Sequence, residues 1–385
     1  MVAPQYSPAA NISDPRAYGA IATIDLDALC ANYRLLAQKA APAVCSAVVK
    51  ANAYGLGVAK VAPALYQAGC RLFFVVQPIE ALELQPLLPP DAMIGVLNGI
   101  ANGHEAMIAA AGIWPVLNSW QAVKNWQILC QNHQKRFPAI LQVDSGMNRL
   151  GLDQDEQATL LQNLNIFKDI DIKYIISHLA CADQSDHPTN KAQLSKFKAL
   201  LASLPPCPVA LANAGGILLG KAFHFDMVRP GIGLYGVDPQ GHMPSRLKPV
   251  LGLEARVLQS RTVPAGSAIG YGGSAVVSQT SIITTVGMGY ADGWPFALNN
   301  KGVAYYKGQR LPIIGRLSMD AITLDATQLG DKAPLPGDFI EFIGPHQSLE
   351  DVAKVADTIP YQILTALGRR YLYIYKQENK GELCP

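Results

Sequence analysis

The spacing of hydrophobic residues changes along the chain and divides it into parts with different predicted structures. From about residue 20 to 248, short apolar runs alternate with stretches in which apolar residues recur every three or four positions. The runs are typical of buried strands, and the second pattern is typical of amphipathic helices such as 58–68, 119–131 and 190–203. The predicted strands are 44–49, 72–76, 93–97, 113–117, 139–143, 172–178, 208–212 and 227–235.

The alternation of strands and helices predicts a parallel sheet with right-handed crossovers. Eight such units indicate a closed (β/α)8 TIM-type barrel, and the alternative is an open, doubly wound sheet. We favour the barrel because the polar candidate residues follow the ends of many different strands. A barrel gathers those ends into one mouth, whereas an open sheet does not.

The pattern is different on both sides of this region. From about residue 249, short β-rich runs alternate with Gly and Pro, which predicts a smaller, mainly β C-terminal domain over 249–385. We assign 20–248 to the barrel, although the apolar run 20–26 is expected to be a strand that could join the C-terminal domain. Residues 1–19 are expected to form a loose tail, without the pattern of a secretory signal. The predicted C-terminal elements are strands 254–263, 281–288, 302–306, 310–316, 321–325, 338–343 and 371–375, and helices 348–356 and 360–367.

Composition excludes several classes of protein. Of the 385 residues, 50% are hydrophobic and 16% are charged, which allows a large core and argues against disorder. The net charge of +2, with scattered Lys and Arg, argues against a general affinity for nucleic acid or membrane surfaces. Seven cysteines without a CxxC pair are typical of reduced thiols rather than disulfides or a zinc site. We therefore expect a cytoplasmic protein with no metal centre and no membrane span.

The first candidate for chemistry is Lys50, which ends the first predicted strand. Most lysines are solvated surface residues. At the mouth of a barrel, however, desolvation would lower the lysine pKa and free the amine to form an imine. Glycine-containing segments follow the seventh strand, at 213–216, and lie along the eighth, where barrels frequently bind phosphate. Each of these segments alone is weak, but together with Lys50 they indicate pyridoxal phosphate.

Two further polar residues follow predicted strands. His178 ends the sixth strand, and Arg149 lies in the segment that follows the fifth. A lone histidine is usually structural, and an arginine usually forms a surface salt bridge. At these positions, however, we expect His178 to lie beside the cofactor and Arg149 to hold a phenolate oxygen or a carboxylate.

Eight segments, taken in order, resemble the signature segments of bacterial alanine racemases. Any one of them could arise by chance, but the ordered set is highly specific and spans the chain from about residue 20 to 375. The segments are KANAYG (50–55), VDSGMNRLG (143–151), SH (177–178), NA (213–214), MVRPGI (227–232), GYADG (289–293), GRLSMD (315–320) and IPYQI (359–363).

The resemblance implies a pyridoxal-phosphate-dependent racemase of alanine, assembled as a head-to-tail homodimer with shared active sites. It implies that Lys50 forms the imine with the cofactor, and that Tyr290 from the partner subunit is the second catalytic base. Arg229 matches the arginine that faces the pyridine nitrogen, and a chain of contacts from Tyr290 through His178 to Arg229 is implied. The implied phosphate contacts are Tyr54, Asn213, Ala214, Gly231, Ile232 and Tyr361, and the substrate-side residues are Arg149 and, also from the partner, Met319.

Three positions depart from the family pattern. The family often has a carbamylated lysine where this chain has Gln142, so we expect Arg149 to be held by the Gln142 amide or by an anion such as chloride. Ala214 stands where serine is frequent, which leaves a backbone N–H but no hydroxyl. Leu56 replaces a frequent histidine, and we expect little effect from that change.

Racemisation requires that a proton leave one face of Cα and return to the other, so two bases are expected. We expect Lys50 to handle the proton of the D-enantiomer and Tyr290 that of the L-enantiomer. The alternatives are a racemase of broader specificity, a decarboxylase and a non-catalytic pyridoxal-phosphate carrier. Arg229 argues against the decarboxylase, which usually has an acidic residue at the ring nitrogen, and the domain that carries Tyr290 argues against the carrier. The family either makes D-alanine for peptidoglycan or degrades it.

Overall fold

The structure is a computed structural model that describes residues 14–242 and 245–377. The chain forms two compact units, one of Leu26–Lys248 and one of Met1–Asp25 with Pro249–Pro385. Most of the predicted tail over 1–19 lies outside the described residues. Within them, Pro15–Ala17 form a 3-10 turn that begins at Asp14, whose side chain accepts a hydrogen bond from the Arg16 N–H.

The unit Leu26–Lys248 is built on a closed parallel sheet. Val44–Cys45 pairs with Met227–Arg229, and Ala47–Val48 pairs with Leu72–Val75, so these two short segments are halves of one strand that closes the sheet. Within the described residues the sheet therefore has eight barrel strands, and the predicted (β/α)8 barrel is confirmed. The other strands are Met93–Val96, Trp114–Leu117, Pro138–Gln142, Asp171–Ile176 and Val209–Asn213.

Helices connect the strands and bury one face each. In Trp120–Asn132, for example, Val123, Trp126 and Cys130 are buried, because residues three or four apart share a helix face. This helix begins at Ser119, whose hydroxyl accepts a hydrogen bond from the Ala122 N–H. The α-helices of the unit are Leu26–Ala40, Val58–Gln67, Pro78–Leu84, Glu105–Ala110, Trp120–Asn132, Gln154–Gln162, Ile166–Asp169, Pro188–Leu201 and Ala214–Leu219. The short segment Lys50–Tyr54 forms a left-handed turn instead, because residues 51–54 have positive φ.

The eighth strand is shorter than the prediction of 227–235. It ends at Arg229, and Ile232–Tyr235 form a 3-10 helix instead. Pro230 has no N–H with which to continue the ladder, although its carbonyl still accepts a hydrogen bond from the Val48 N–H. The prediction was wrong because all four residues of the 3-10 helix are buried, so its sequence is as apolar as that of a buried strand.

The second unit is a mainly β domain, as predicted. Its long strand Leu251–Val263 pairs with Ala20–Asp25, Ser281–Val286 and Phe339–Ile343. Ala20–Asp25 lies between this long strand and Leu372–Lys376, so the segment that precedes the barrel in sequence belongs to the β domain. The remaining strands are Ala268–Ile269, Ala275–Val276, Val303–Tyr306, Gln309–Pro312 and Ile322–Asp325, and the helices are Leu349–Val355 and Pro360–Ala366.

The cysteines of the described residues are free thiols, and Cys384 lies outside those residues. Across residues 14–242 and 245–377, no helix has both the length and the apolar character needed to cross a membrane.

Candidate active site

Lys50 lies two residues after the end of the first barrel strand at Val48 and begins an unusual turn. The four residues 51–54 all have φ between 52° and 55°, which is the left-handed region. That conformation costs roughly 1–2 kcal/mol for each residue other than glycine, and of these four only Asn52 is of a type that tolerates it well. Such strain persists only where the surroundings enforce it, and it is concentrated at functional sites.

Glu80 joins this turn to the end of the second barrel strand. Its Oε1 atom accepts a hydrogen bond of 2.6 Å from the Ala51 N–H. Its Oε2 atom accepts from the Val76 N–H at 2.8 Å and from the Gln77 N–H at 3.0 Å. One carboxylate therefore binds three backbone donors from two neighbouring parts of the barrel mouth.

The environment of Lys50 lowers the pKa of its amine. The side chain is half-buried, and desolvation, together with the positive charge of Arg149, lowers its pKa. The negative charge of Glu80 acts in the opposite direction. A lowered pKa increases the fraction of unprotonated amine, which is the nucleophilic form.

Arg229 ends the eighth strand with a fully buried guanidinium. Its Nη2 donates a hydrogen bond of 2.5 Å to the Ser177 carbonyl, whereas its Nη1 is buried without a hydrogen-bond partner in the described residues. Desolvation lowers its pKa to about 10, so the group remains cationic at neutral pH. A buried cation whose Nη1 group is unpaired is suited to an acceptor on a bound molecule, because an unsatisfied buried donor is costly.

His178 lies where these positive charges meet. Desolvation, followed by the charges of Arg229, Arg149 and Lys50, lowers its pKa to about 3. The imidazole is therefore neutral at pH 7, and the charges of all three residues reach it. The contact implied between His178 and Arg229 is electrostatic here, since the guanidinium donates to the Ser177 carbonyl.

Tyr54 and Gly231 lie against each other at the opposite end of the turn from Lys50. A Cβ atom added at Gly231 would lie 2.3 Å from the Tyr54 hydroxyl, so only glycine permits this approach. The Tyr54 ring packs on Tyr235, with 4.6 Å between centroids. Gly231 is also the N-cap of Ile232–Tyr235, and no side chain caps that 3-10 helix.

The segment after the seventh strand turns directly into a helix. Asn213 is the N-cap of Ala214–Leu219, and its Oδ1 accepts a hydrogen bond of 2.9 Å from the Gly216 N–H. Its side-chain oxygen is therefore used within the loop. Ala214, the first residue of the helix, is buried and has only its backbone to offer to a ligand.

Arg149 is exposed on the loop after the fifth strand, and the amide half of our expectation about it is wrong. The Gln142 amide donates to the Leu150 carbonyl at 3.0 Å rather than holding the guanidinium. In the described residues no hydrogen bond or ion pair joins Arg149 to another side chain. The reason is geometric, because the carbonyl of Leu150, the residue after Arg149, accepts the N–H of the Gln142 amide. That Arg149 is held by an anion remains a prediction.

In the β domain, Tyr290 and Met319 lie on adjacent backbone segments. The Tyr290 N–H donates to the Ser318 carbonyl at 3.2 Å, and the Ala291 N–H donates to the Met319 carbonyl at 3.0 Å. The side chains of Tyr290 and Met319 are 41% and 53% exposed, so each is available for contact outside its own packing. Tyr361 is the second residue of the helix Pro360–Ala366 in the same domain and is 37% exposed.

An ion-pair network supports the turn that carries Tyr290. The buried Asp292 carboxylate accepts from the Gly289 N–H at 2.8 Å, and it binds Arg370 Nε and Nη2 at 2.7 and 2.8 Å. Arg370 Nη1 also binds Asp320 at 2.6 Å. This network ties the segment of Tyr290 to the segment of Met319.

A cavity of about 580 Å³ opens beside Tyr290. It is lined by Tyr271, Phe296 and Arg316 as well as by Leu317 and Ser318. The Tyr290 ring meets Phe296 edge-on at 5.7 Å between centroids. The cavity offers aromatic surface and one arginine near the Tyr290 phenol.

Glu80, Arg370 and Gln193 contribute to these sites but were not predicted from the sequence. Gln193 is buried, and its amide donates to the His178 carbonyl at 2.9 Å and accepts from the Ala180 N–H at 2.9 Å. Each of these residues acts through the backbone or through another side chain. A single sequence carries no signal for such contacts, although the Asp residues that follow Tyr290 and Met319 were inside segments already singled out.

The residues of the barrel mouth fit pyridoxal phosphate. Lys50 offers an amine with a lowered pKa for an aldehyde, and Arg229 offers an unpaired buried N–H for a ring nitrogen. The close approach of Tyr54 and Gly231, next to an uncapped helix start, suits a phosphate group.

Comparison with known proteins agrees with this chemistry. The family model "Alanine racemase, N-terminal domain" matches residues 24–239, and "Alanine racemase, C-terminal domain" matches residues 250–375. The chain is 51% identical over 378 residues to an alanine racemase of Brucella ovis, which covers 95% of this chain and 96% of that protein. It is 47% identical to a catabolic alanine racemase of Agrobacterium fabrum, with 92% of each chain covered.

A solved structure is similar over almost the same length. The crystal structure of the alanine racemase of Bartonella henselae with covalently bound pyridoxal phosphate superposes with a TM-score of 0.91 at 56% identity. The match covers 93% of this chain and 99% of that one. The two family models, the identity to curated relatives and the shared fold together show that the chain belongs to the alanine racemase family.

Proposed function

We propose that this protein is a pyridoxal-phosphate-dependent alanine racemase that interconverts L-alanine and D-alanine. The observation that carries the proposal is the pairing, in one barrel mouth, of a lysine with a lowered pKa and a buried arginine with an unpaired N–H. The solved relative holds pyridoxal phosphate covalently, which supports Lys50 as the residue that forms the bond.

The cofactor, when bound, supplies an electron sink that makes the Cα proton of an amino acid removable. Arg229 would donate its free N–H to the ring nitrogen and, because arginine keeps its own proton, leave that nitrogen unprotonated. Tyr54, Asn213, Ala214, Gly231, Ile232 and Tyr361 would hold the phosphate. Arg149 would bind the substrate carboxylate or a phenolate oxygen from its exposed position on the fifth-strand loop.

The residues of the chain would move protons on two faces of Cα. From L-alanine, the phenolate of Tyr290 would take the proton from one face, and the Lys50 ammonium would deliver a proton to the other. From D-alanine, the same two groups would act in reverse. Each base ends a turnover in the protonation state that the opposite direction requires, so proton exchange between the bases or with solvent resets the site.

The lowered pKa of His178 determines what this residue would contribute to Tyr290 as a base. A tyrosine has an unperturbed pKa of about 10 and requires positive charge nearby to act as a base. His178 is neutral at pH 7, so it would act as an uncharged hydrogen-bond partner of the phenol. The positive charge would come from Arg229 and Arg149, both of which already act on the imidazole.

We also propose a head-to-tail homodimer in which the barrel, residues 26–248, binds the cofactor and the β domain of the partner subunit supplies Tyr290 and Met319. The exposure of both side chains supports this arrangement. The bulk of Tyr290 and Met319 next to the substrate methyl group would favour alanine over larger amino acids. The free thiols of the described residues support a cytoplasmic location.

The first test is proton NMR of L-alanine with the purified protein and pyridoxal phosphate in D2O, followed by chiral analysis. We expect deuterium at Cα and a final one-to-one mixture of enantiomers. Absence of exchange while the cofactor is bound at Lys50 would contradict alanine as the substrate. Other amino acids would then be tested under the same conditions, and a lack of exchange with all of them would leave the carrier function.

The biological direction requires a test in cells. If the enzyme supplies D-alanine for peptidoglycan, a deletion strain is expected to need D-alanine in its growth medium. If the enzyme degrades alanine, as the name of the Agrobacterium fabrum relative indicates for that protein, the strain is expected to lose growth on the enantiomer that it can no longer convert.

A further inference from the structure

The left-handed turn after Lys50 requires a support outside itself. Four consecutive residues other than glycine have positive φ there, although residues other than glycine generally prefer negative φ. Two backbone hydrogen bonds within the segment help: the Ala53 N–H donates to the Val49 carbonyl, and the Gly55 N–H to the Ala51 carbonyl. The Ala51 N–H, as the first donor of the turn, instead finds its acceptor in Glu80, 29 positions later in the sequence.

The position of Glu80 suits this support. It lies in the first turn of the helix Pro78–Leu84, where its other oxygen binds the Val76 and Gln77 N–H groups at the end of the second strand. The carboxylate is therefore already fixed by two donors when it meets Ala51. Hydrogen bonds to a charged acceptor are among the stronger ones in proteins, so this contact is able to offset part of the strain.

The turn also separates two residues with different proposed roles. Lys50 lies at its start and would bond to the aldehyde carbon of the cofactor. Tyr54 lies at its end, with its hydroxyl against Gly231, and would contact the phosphate. The conformation of residues 51–54 therefore sets the distance between the groups that hold the two ends of the cofactor.

We propose that Glu80 is a positioning residue for the cofactor: by clamping the turn 51–54 to the second barrel strand, it fixes Lys50 and Tyr54 relative to each other. This inference rests on the proposed binding of pyridoxal phosphate at Lys50. Glu80 touches neither reacting atom and acts through the Ala51 N–H.

The charge of Glu80 adds a second, measurable effect. Desolvation and Arg149 lower the pKa of Lys50, and Glu80 is the group that opposes them. The neutral His178 also lies within the influence of Lys50. Removing the negative charge at residue 80 is therefore expected to lower the Lys50 pKa further, whereas a purely structural role for Glu80 would leave that pKa unchanged.

The test compares three variants of the full-length protein with wild type. Glu80→Gln removes the charge and sets an amide NH2 against one of the three N–H donors. Glu80→Asp keeps the charge and is able to cap the helix, but it is one methylene too short to reach Ala51. Glu83→Gln is the matched control, because it makes the same change on an exposed side chain of the same helix.

The first measurement is hydrogen exchange of the segment 50–57 followed by mass spectrometry. We expect Glu80→Gln and Glu80→Asp each to exchange about tenfold faster or more in this segment, as loss of a charged hydrogen bond implies, while Glu83→Gln matches wild type. Exchange in the strand Pro138–Gln142 reports whether each variant is folded, and Glu80→Asp gives the answer if Glu80→Gln does not fold.

The second measurement is the pH midpoint for trapping pyridoxal phosphate on Lys50 with borohydride. We expect this midpoint to fall in Glu80→Gln and to stay near the wild-type value in Glu80→Asp and Glu83→Gln. Unchanged exchange in both Glu80 variants, or an unchanged midpoint in folded Glu80→Gln, would overturn the inference. Failure of the wild-type protein to trap the cofactor at Lys50 would instead contradict the proposed function, and the exchange data would still decide whether Glu80 holds the turn.

Discussion

At the scale of single residues, the barrel mouth combines positive charges with a neutral histidine. Lys50, Arg149 and Arg229 all act on His178, and burial prevents the imidazole from joining them as a fourth cation. Such a cluster attracts anions, and pyridoxal phosphate and the carboxylate of an amino acid are both anionic. The lysine and the two arginines therefore supply positive charge, whereas His178 supplies an uncharged hydrogen-bonding group.

The pKa of His178 predicts a pH dependence of stability. Since its folded-state pKa of about 3 is below the unfolded value of about 6.5, the unfolded chain binds the extra proton first as pH falls. His178 therefore destabilises the fold progressively from about pH 6.5 down to about pH 3, by up to about 1.4 kcal/mol per pH unit.

We expect His178→Asn to unfold with a shallower loss of stability over this range, measured by urea denaturation at several pH values. The exposed His104 provides the control, and His104→Asn should follow wild type. Parallel curves for His178→Asn and wild type would show that the imidazole is protonated equally in both states.

Single residues were predictable from the sequence where they follow a strand. Arg229 ends its barrel strand in the structure, and Lys50 and His178 lie two residues after the ends of theirs, at Val48 and Ile176. Glu80 and Arg370 were not predictable, because their partners lie 29 and 78 positions away. The sequence shows that Gln142 replaces the lysine that is often carbamylated in the family. It does not show that the Gln142 amide binds the Leu150 carbonyl, because that contact depends on the geometry of the loop.

At the scale of elements, two short turns carry the proposed bases, and each is held by a charged side chain from elsewhere. Glu80 holds the turn after Lys50, and Arg370 holds Tyr290–Asp292 through the Asp292 carboxylate. Periodicity predicted the strands before these turns but not the turns themselves. Three of the residues 51–54, namely Ala51, Ala53 and Tyr54, are of types that rarely adopt positive φ, so the left-handed backbone depends on contacts made by the whole fold.

The network below Tyr290 predicts a graded effect of mutations. In Arg370→Lys the buried Asp292 loses its two-pronged partner, and we expect the β domain to be destabilised by about 1–3 kcal/mol. The Asp320 contact is largely exposed, so Asp320→Asn should cost under about 1 kcal/mol.

Thermal unfolding monitored in the β domain, for example by the fluorescence of buried Trp294, would measure both effects. If Tyr290 depends on the network, Arg370→Lys should also reduce Cα exchange from L-alanine more than from D-alanine. Equal destabilisation by the two substitutions would show that the Asp292 pair is no stronger than a surface ion pair.

At the scale of the whole molecule, the sequence predicted a barrel and a mainly β domain because their hydrophobic periods differ. It could not decide where the segment 20–26 belongs, since an apolar run fits a central strand of either sheet. The pairing of Ala20–Asp25 with strands on both sides decides this point. Whether two subunits share their sites is a property of the assembly and stays a prediction.

A mixture of inactive variants tests the shared site. Lys50→Ala and Tyr290→Phe are each expected to be inactive as homodimers. In a head-to-tail dimer that contains one of each, one site receives both changes and the other receives neither. Random mixing during co-expression should therefore restore about one quarter of wild-type racemisation. No recovery, with mixed dimers confirmed by mass spectrometry, would place both bases in the same subunit.

The position of Ala20–Asp25 has a consequence for how the protein is made. This strand is synthesised before the barrel, whereas its neighbours Leu251–Val263 and Leu372–Lys376 are synthesised after it. Until then it is an apolar strand with two unpaired edges, which is a typical binding site for chaperones and a risk for aggregation. A chain truncated before residue 251 would lack both neighbours and would leave the two edges of this strand unpaired.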